Sequence, residues 1–274
     1  MKLFFNANII TSASNEKYVE AFVVNKSKIV ETGKSDILKK NYPQAEFIDL
    51  KNKTVIPGLN DSHLHLFQYG ISKRKIDLSN TTSIKEIQNK IRYYIKNNNL
   101  RENEWIEAKG WNDENLKEKR FPNLKDLDQI TKKYPIIAKR TCFHVASVNS
   151  KALNLAKIDN NSTNPEGGEI GKYSNGELNG LLYDEAIDLI EEKIPQKSVN
   201  EIKEILKESF QDLLATGLTS AQVDDFFNVE NPEKILKAYF ELKEEGKIPL
   251  RINLQMRIPS KEKIKDFNER GIIT

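Results

Sequence analysis

Val55-Ile56-Pro57-Gly58-Leu59-Asn60-Asp61-Ser62-His63-Leu64-His65 is the stretch on which the reading of the fold turns. Val55 and Ile56 close a strand-like run. Pro57-Gly58 lets the chain turn out of it and begin the first strand of a new sheet. In extended backbone, side chains alternate between faces, so Asp61, His63 and His65 project to one side and Ser62, Leu64 and Leu66 to the other. Two imidazoles held this way can converge on one divalent ion, at about 2.0–2.1 Å for zinc, when each is neutral and oriented by a hydrogen-bonding partner. Asp61 is the candidate orienter. Taken alone, the His-x-His spacing equally allows coincidence or a hydrogen-bonded pair.

Upstream, Leu3 to Ile10, Ala21 to Val24, Ile29 to Thr32, Glu46 to Leu50 and Thr54 to Ile56 are short apolar runs that read as strands. Asn25-Lys26-Ser27-Lys28 separates two of them as a hairpin turn, with Gly33 at the exit. Residues 1–56 are therefore expected to form a small β-domain.

Downstream the period becomes helical. Ser83 with Glu86 forms a capping box, and Ile84, Ile87, Ile91 and Ile95 make one stripe that ends near Asn97. Trp105 to Ala108 and Ile136 to Lys139 read as strands, and Ala186 to Ile190 as a short amphipathic segment. Pro165 to Gly180 reads as a hairpin with turns at Asn175-Gly176 and Asn179-Gly180. Its glycines do not make a phosphate loop, since no Lys-Ser or Lys-Thr follows in register. Residues about 100–197 thus look like an α+β insertion.

The last third has a plainer grammar. Ser198 and Glu201 cap a helix that stops at Gly217, and Leu218 to Val223 is a buried strand. Asn231-Pro232 opens a helix that stops at Gly246, Leu250 to Met256 is the next strand, and Ser260 caps a helix ending at Gly271. Strands alternating with helices build a parallel sheet, which makes the fold class α/β. Three such units begin near Thr54, Leu218 and Leu250.

With 43 basic and 40 acidic residues interspersed along 274, the formal charge is only +3, which argues against nucleic acid and anionic membrane as partners. No apolar run approaches the roughly 20 residues of a membrane span, and no signal-peptide core is visible, so a cytoplasmic protein is expected. The single cysteine, Cys142, cannot form an internal disulfide and is expected to be a small buried apolar residue. Its pairing with His144 as a nucleophile or metal pair is the alternative.

Further motifs follow the histidine run in order: Lys109-Gly110-Trp111-Asn112; His144 with Val148-Asn149-Ser150-Lys151-Ala152-Leu153; Pro165-Glu166-Gly167-Gly168-Glu169-Ile170-Gly171 with Asn175-Gly176-Glu177; and Gly217-Leu218-Thr219-Ser220. Together with Lys28 to Gly33 and Val55 to His65, this order resembles the amidohydrolase superfamily. Within it, the likeness is to the amidohydrolase-3 or YtcJ-like branch, which includes N-substituted formamide deformylases, and only to its N-terminal half.

That resemblance implies a partial (β/α)8 TIM-like metal-dependent hydrolase barrel over residues 57–274, carrying the insertion. Residues 1–56 would be half of a composite β-sandwich. It implies His63 and His65 as metal ligands from barrel strand one. The ion would be divalent, zinc first, with iron or manganese as alternatives because all accept imidazole. The resemblance also implies that His144 lines the substrate pocket. Asp61, Trp111, Asn112, Asp224, Asp225 and Arg257 are read as further substrate or supporting contacts, with packing of the insertion as the alternative for Trp111 and helix-start or loop solvation for Asp224, Asp225 and Arg257. Asp224, Asp225 and Arg257 stand at strand C-termini, the face where barrel enzymes build their sites.

The activity implied is hydrolysis of a C–N bond, amide or formamide-like, in a small molecule by metal-activated water. The family's later histidines and late aspartate have no counterpart here, and a full barrel takes about 250 residues. The expectation is a truncated or split product whose general acid/base lies elsewhere. Exposed barrel strands would then need a C-terminal half or an oligomer partner. The competing expectation is a non-catalytic binding or regulatory protein, or an inactive fragment, that retains half of the scaffold.

Overall fold

A computed structural model of the chain describes residues 1–14, 16–226, 231–256, 261–269 and 271. In chain order it begins with β1 (Lys2–Ile10), β2 (Tyr18–Val19), β3 (Ala21–Asn25), β4 (Lys28–Gly33), α1 (Ser35–Asn41), β5 (Glu46–Val55) and β6 (Leu59–Leu64). Next come α2 (Leu66–Arg74), β7 (Ile76–Asp77), α3 (Ile84–Asn97), β8 (Ile106–Trp111), α4 (Leu124–Asp128), β9 (Ile136–Arg140) and β10 (Val145–Val148). There follow α5 (Ser150–Ala156), β11 (Gly168–Lys172), β12 (Leu178–Asp184), α6 (Asp188–Glu191) and α7 (Val199–Ala215). The last elements are β13 (Leu218–Val223), α8 (Pro232–Glu244), β14 (Arg251–Leu254) and α9 (Lys261–Glu269). Contacts divide these into two units: residues 1–64, 210–224 and 248–274, and residues 65–209 with 225–247.

The first unit holds two sheets. In the N-terminal one, β1 pairs antiparallel with β2 and β3, β3 with β4, and β5 runs parallel to β1. The β3–β4 turn has positive φ at both Lys26 and Ser27, the backbone of a two-residue hairpin that matches strand twist. Leu3, Ala21 and Val23 share one face by strand alternation and bury against Leu38 of α1. Sequence periodicity missed α1, because a helix this short carries a single buried residue. The other sheet is parallel, in the order β14-β13-β6. Thr54 and Val55 pair with Asn8 and Ile9 of β1, so the new sheet starts at Leu59 and not near Thr54.

The second unit is built on a six-stranded sheet, β11-β12-β10-β9-β8-β7, parallel from β7 to β9 and antiparallel beyond. Its first strand is at Ile76, ahead of residue 100. Ile136 and Ala138 belong to one hydrophobic cluster with Ile84, Ile87 and Ile91 of α3, while Ile137 belongs to another with Ala152 and Leu153 of α5. A strand buried on both faces reads as a continuous apolar run, as Ile136-Ile137-Ala138 of β9 does; β10 departs from it only at Ser147, whose buried hydroxyl donates to the Pro122 carbonyl. Each fully buried Ile contributes roughly 1.5–3 kcal/mol.

The helix caps follow the sequence with one change. Ser83 accepts from the Glu86 amide at 3.2 Å, but the Glu86 carboxylate returns to the amide of Thr82, at 2.6 Å, and not to that of Ser83. Ser198 and Glu201 form the full reciprocal box, and Asn231 caps α8. The 175–176 turn is present with Gly176 at φ +84°, whereas Asn179-Gly180 lies inside β12. There a Cβ on Gly180 would stand 2.5 Å from the Val148 carbonyl, so that glycine serves a close backbone approach. Ser260 lies outside the described residues. Among the described residues no helix is long and apolar enough to cross a membrane.

Candidate metal centre

The strand that carries the histidines is not regular. Against β13, Leu59 and Asn60 pair with Leu218 and Ser220, and Asp61 and Leu64 pair with Ala221 and Val223. Thr219 is therefore an extra residue on β13, and β6 carries an extra residue in the Ser62-His63 stretch. Such bulges re-aim side chains near sites. Strict alternation through His65 also fails at the end of the strand, because extended structure stops at Leu64 and His65 is the N-cap of α2. The helix there was not expected, and it removes Leu66 from the strand and buries it.

Bulge and helix start together bring His63, His65 and Asp224 into one group, with a ligand atom of each within 4.8 Å of the others. Asp224 is the first residue after β13. Its side chain is buried, and its amide donates to the Leu64 carbonyl at 2.9 Å, continuing the ladder one step past the strands. The sequence placed Asp224 at this face as a substrate or supporting contact; the structure adds its carboxylate to the imidazoles. Gln255, the first residue after β14, was missed altogether. Its Oε1 stands 3.3 Å from Nδ1 of His63, and its amide donates to the Val223 carbonyl. The signal was available: each of the three parallel strands places a polar residue at its C-terminal end.

Asp61 takes a different part from the one expected. Its Oδ1 accepts the backbone amide of His63 at 2.9 Å, so it holds the bulged main chain, while the His63 ring faces Gln255.

Asp225 is almost fully buried. Both its oxygens accept the Phe67 amide, at 2.9 and 3.0 Å, and its Oδ2 accepts the Tyr239 hydroxyl at 2.7 Å. Burial, then the Asp225 charge and the hydrogen bond to it, raise the Tyr239 hydroxyl well above the ordinary tyrosine value, so Tyr239 remains the donor.

The other expected site residues lie in the second unit or outside the described residues. Trp111 is a correction: it is fully buried in a hydrophobic core of the second unit, with its indole N–H on the Ala138 carbonyl at 2.8 Å and its ring packed on Phe121, so it faces no pocket. Asn112 caps a turn of 3-10 helix through the Glu114 amide and accepts from Arg140 at 3.1 Å. His144 is exposed, with Nδ1 2.9 Å from Asp184 Oδ1, at the edge of a cleft of about 410 Å³ lined also by Phe143, Asp188 and Glu191.

Cys142 is exposed and not the buried apolar residue expected. Partial burial pushes its thiol up, but hydrogen bonds from Arg140 and the His144 amide outweigh this and hold it below the ordinary value. Arg257 lies outside the described residues.

Two imidazoles and one carboxylate are a donor set that zinc, iron(II) and manganese(II) accept, with coordination positions left for water and substrate. Fold and cluster together define an α/β protein with a candidate metal centre at the C-terminal ends of parallel strands. The chain belongs to the Amidohydrolase family, whose Amidohydro_3 model matches residues 46–271. This is the YtcJ-like branch to which the order of motifs pointed.

The Bacillus subtilis protein YtcJ, named as an amidohydrolase, is 34% identical over 257 residues, which are 93% of this chain and 48% of that protein. The N-substituted formamide deformylase of Arthrobacter pascens is 26% identical, over 79% of this chain and 41% of the enzyme. A solved metal-dependent hydrolase of Pyrococcus furiosus superposes with a TM-score of 0.72 at 28% identity, covering 98% of this chain and 52% of that one. The chain thus spans about half the length of the curated relatives it matches.

Proposed function

We propose that this chain carries part of the metal centre of a hydrolase that cleaves a C–N bond, amide or formamide-like, in a small molecule. The observation that carries this reading is the grouping of His63, His65 and Asp224 within 4.8 Å at the ends of parallel strands. The family and the names of the relatives agree with it. His63, His65 and Asp224 would hold a divalent ion, zinc first and iron or manganese as alternatives. Such an ion would lower the pKa of water toward about 7 and polarise the scissile carbonyl.

The residues around it orient. Gln255 would hold the His63 ring, leaving Nε2 for the ion, and Asp61 the backbone of the bulge. His144 with Asp184, Asn112 and Arg257 are assigned to the substrate side. The general acid/base is assigned outside this chain, to further strands of a longer protein or to a partner subunit.

In this reading β6, β13 and β14 are three strands of a (β/α)8 barrel over residues 57–274, and residues 1–56 contribute to a β-sandwich-type domain. The protein would work in the cytoplasm. Zinc titration of the chain, with elemental analysis after dialysis, tests the assignment. One bound equivalent should be lost in His63→Ala without loss of the far-UV spectrum; full occupancy in that variant would sink the assignment.

A further inference from the structure

We propose that Asp225 and Tyr239 are positioning residues that set the imidazole of His65 for metal binding. The inference rests on the metal centre proposed above and extends it to two residues that touch no metal.

His65 sits at the N-cap of α2, a position whose side chain normally accepts one of the unpaired amides of the first turn. It makes no such hydrogen bond. The acceptor comes instead from a distant part of the chain: the Asp225 carboxylate receives the Phe67 amide on both oxygens, at 2.9 and 3.0 Å. A carboxylate there also meets the positive end of the helix dipole.

Capping from outside the helix leaves the His65 ring to the cluster with His63 and Asp224. It also ties the backbone two residues beyond His65 to a fixed anchor. The anchor is itself held. Tyr239 of α8 donates its hydroxyl to Asp225 Oδ2 at 2.7 Å, and both side chains are buried, Asp225 1% and Tyr239 3% exposed. Asp224 and Asp225 are consecutive, so one dipeptide supplies a candidate ligand and the anchor for another. Ligand imidazoles are commonly set by a partner on their second ring nitrogen, whose loss weakens metal affinity by about 10–100-fold; Asp225 acts one step further out, through the backbone that carries His65.

A residue that only stabilises α2 would alter folding without altering the ion's surroundings. The full chain is therefore titrated with zinc, and separately with cobalt(II) followed by visible absorption, in the wild type, Asp225→Asn and Tyr239→Phe. Asn at 225 keeps the shape but loses the charge and one acceptor; Phe at 239 removes only the hydroxyl. Ser83→Ala, which removes the cap of α3, serves as a purely structural control.

The expected result is zinc affinity weakened about 10-fold in Asp225→Asn, the lower end of that range because the contact acts through the backbone, and less in Tyr239→Phe. The cobalt spectrum should shift in both and stay unchanged in Ser83→Ala. Wild-type affinity and spectrum in folded Asp225→Asn and Tyr239→Phe, with binding lost in His63→Ala, would overturn the positioning role and leave the metal centre standing. Equal binding by wild type and His63→Ala, or none by the wild type, would overturn both. If Asp225→Asn does not fold, Tyr239→Phe alone decides.

Discussion

Gly58 and Thr219 are packed so closely that a methyl group on Gly58 would lie 2.2 Å from the Thr219 Oγ1 and 2.8 Å from its Cβ. Thr219 is the extra residue of the β13 bulge, so this contact sits where the register between β6 and β13 is set. Gly58 does not have a positive φ, and its role is lack of bulk. Gly58→Ala should destabilise the protein by about 1–3 kcal/mol, the usual range for overpacking. Thr219→Ala in the same chain should recover part of that loss, since it removes the nearer atoms but leaves Cβ. Urea midpoints of the two single variants and the double variant read the coupling; strict additivity would show that the two residues do not clash.

Asn149 is fully buried and uses all four of its amide hydrogen-bonding positions. Its Oδ1 accepts the amides of Ile136, at 3.0 Å, and Ala152, at 3.1 Å, while its Nδ2 donates to the carbonyls of Thr131 and Tyr134. Asn149 of the family-like motif is thus a strut that joins β9, α5 and the loop before β9. Asn149→Asp places carboxylate oxygens against two carbonyls and leaves those acceptors without donors. A loss of about 3 kcal/mol or more is expected from unmet and repelling buried groups. An unchanged denaturation midpoint would rule the strut out.

Lys203 lies between Glu241 and Glu245, and Lys247 also reaches Glu245, at 2.9 Å. Hydrogen bonds from Lys203 and then Lys247 hold the Glu245 carboxyl down, from 4.5 to about 2. A carboxyl with a depressed native pKa contributes stability that is complete above its unfolded value and disappears as pH falls through the native one. The contribution should therefore be present above about pH 4.5 and vanish toward about pH 2. Glu245→Gln should flatten the fall of Tm across that window, and high salt should reduce the wild-type slope because these groups are partly exposed. Parallel Tm profiles for wild type and variant across that window would refute the linkage.

How much could be read before the structure differs from element to element. α3, α7 and α8 were legible because their apolar stripes and caps are local, and Ser83, Ser198 and Asn231 mark their starts in three or four residues. β13 was legible as a strand between Gly217 and Asp224, though only Ala221 and Val223 of it are buried. α1 and α2 were not, since neither is long enough to show a stripe, and α2 takes its cap from Asp225, far away in sequence. β10 reads as four apolar or small residues, and only its neighbours β9 and β12 make it the middle of a sheet.

The sequence alone determined that His63 and His65 lie at the end of an extended segment, and that Asp224 and Asp225 follow a strand. Tertiary structure decided which side chains meet. The bulges between β6 and β13, the helix start at His65 and the ladder bond from Asp224 to Leu64 bring Asp224 to the two histidines. Those same features give Asp225 to the backbone and Asp61 to the His63 amide, while Trp111 is buried by the separate hydrophobic core around α3, β8 and β9. Local sequence encodes the period of a strand, but the extra residue that breaks that period exists only in relation to the neighbouring strand. The grouping of His63, His65 and Asp224 could therefore not be read from the histidine run by itself.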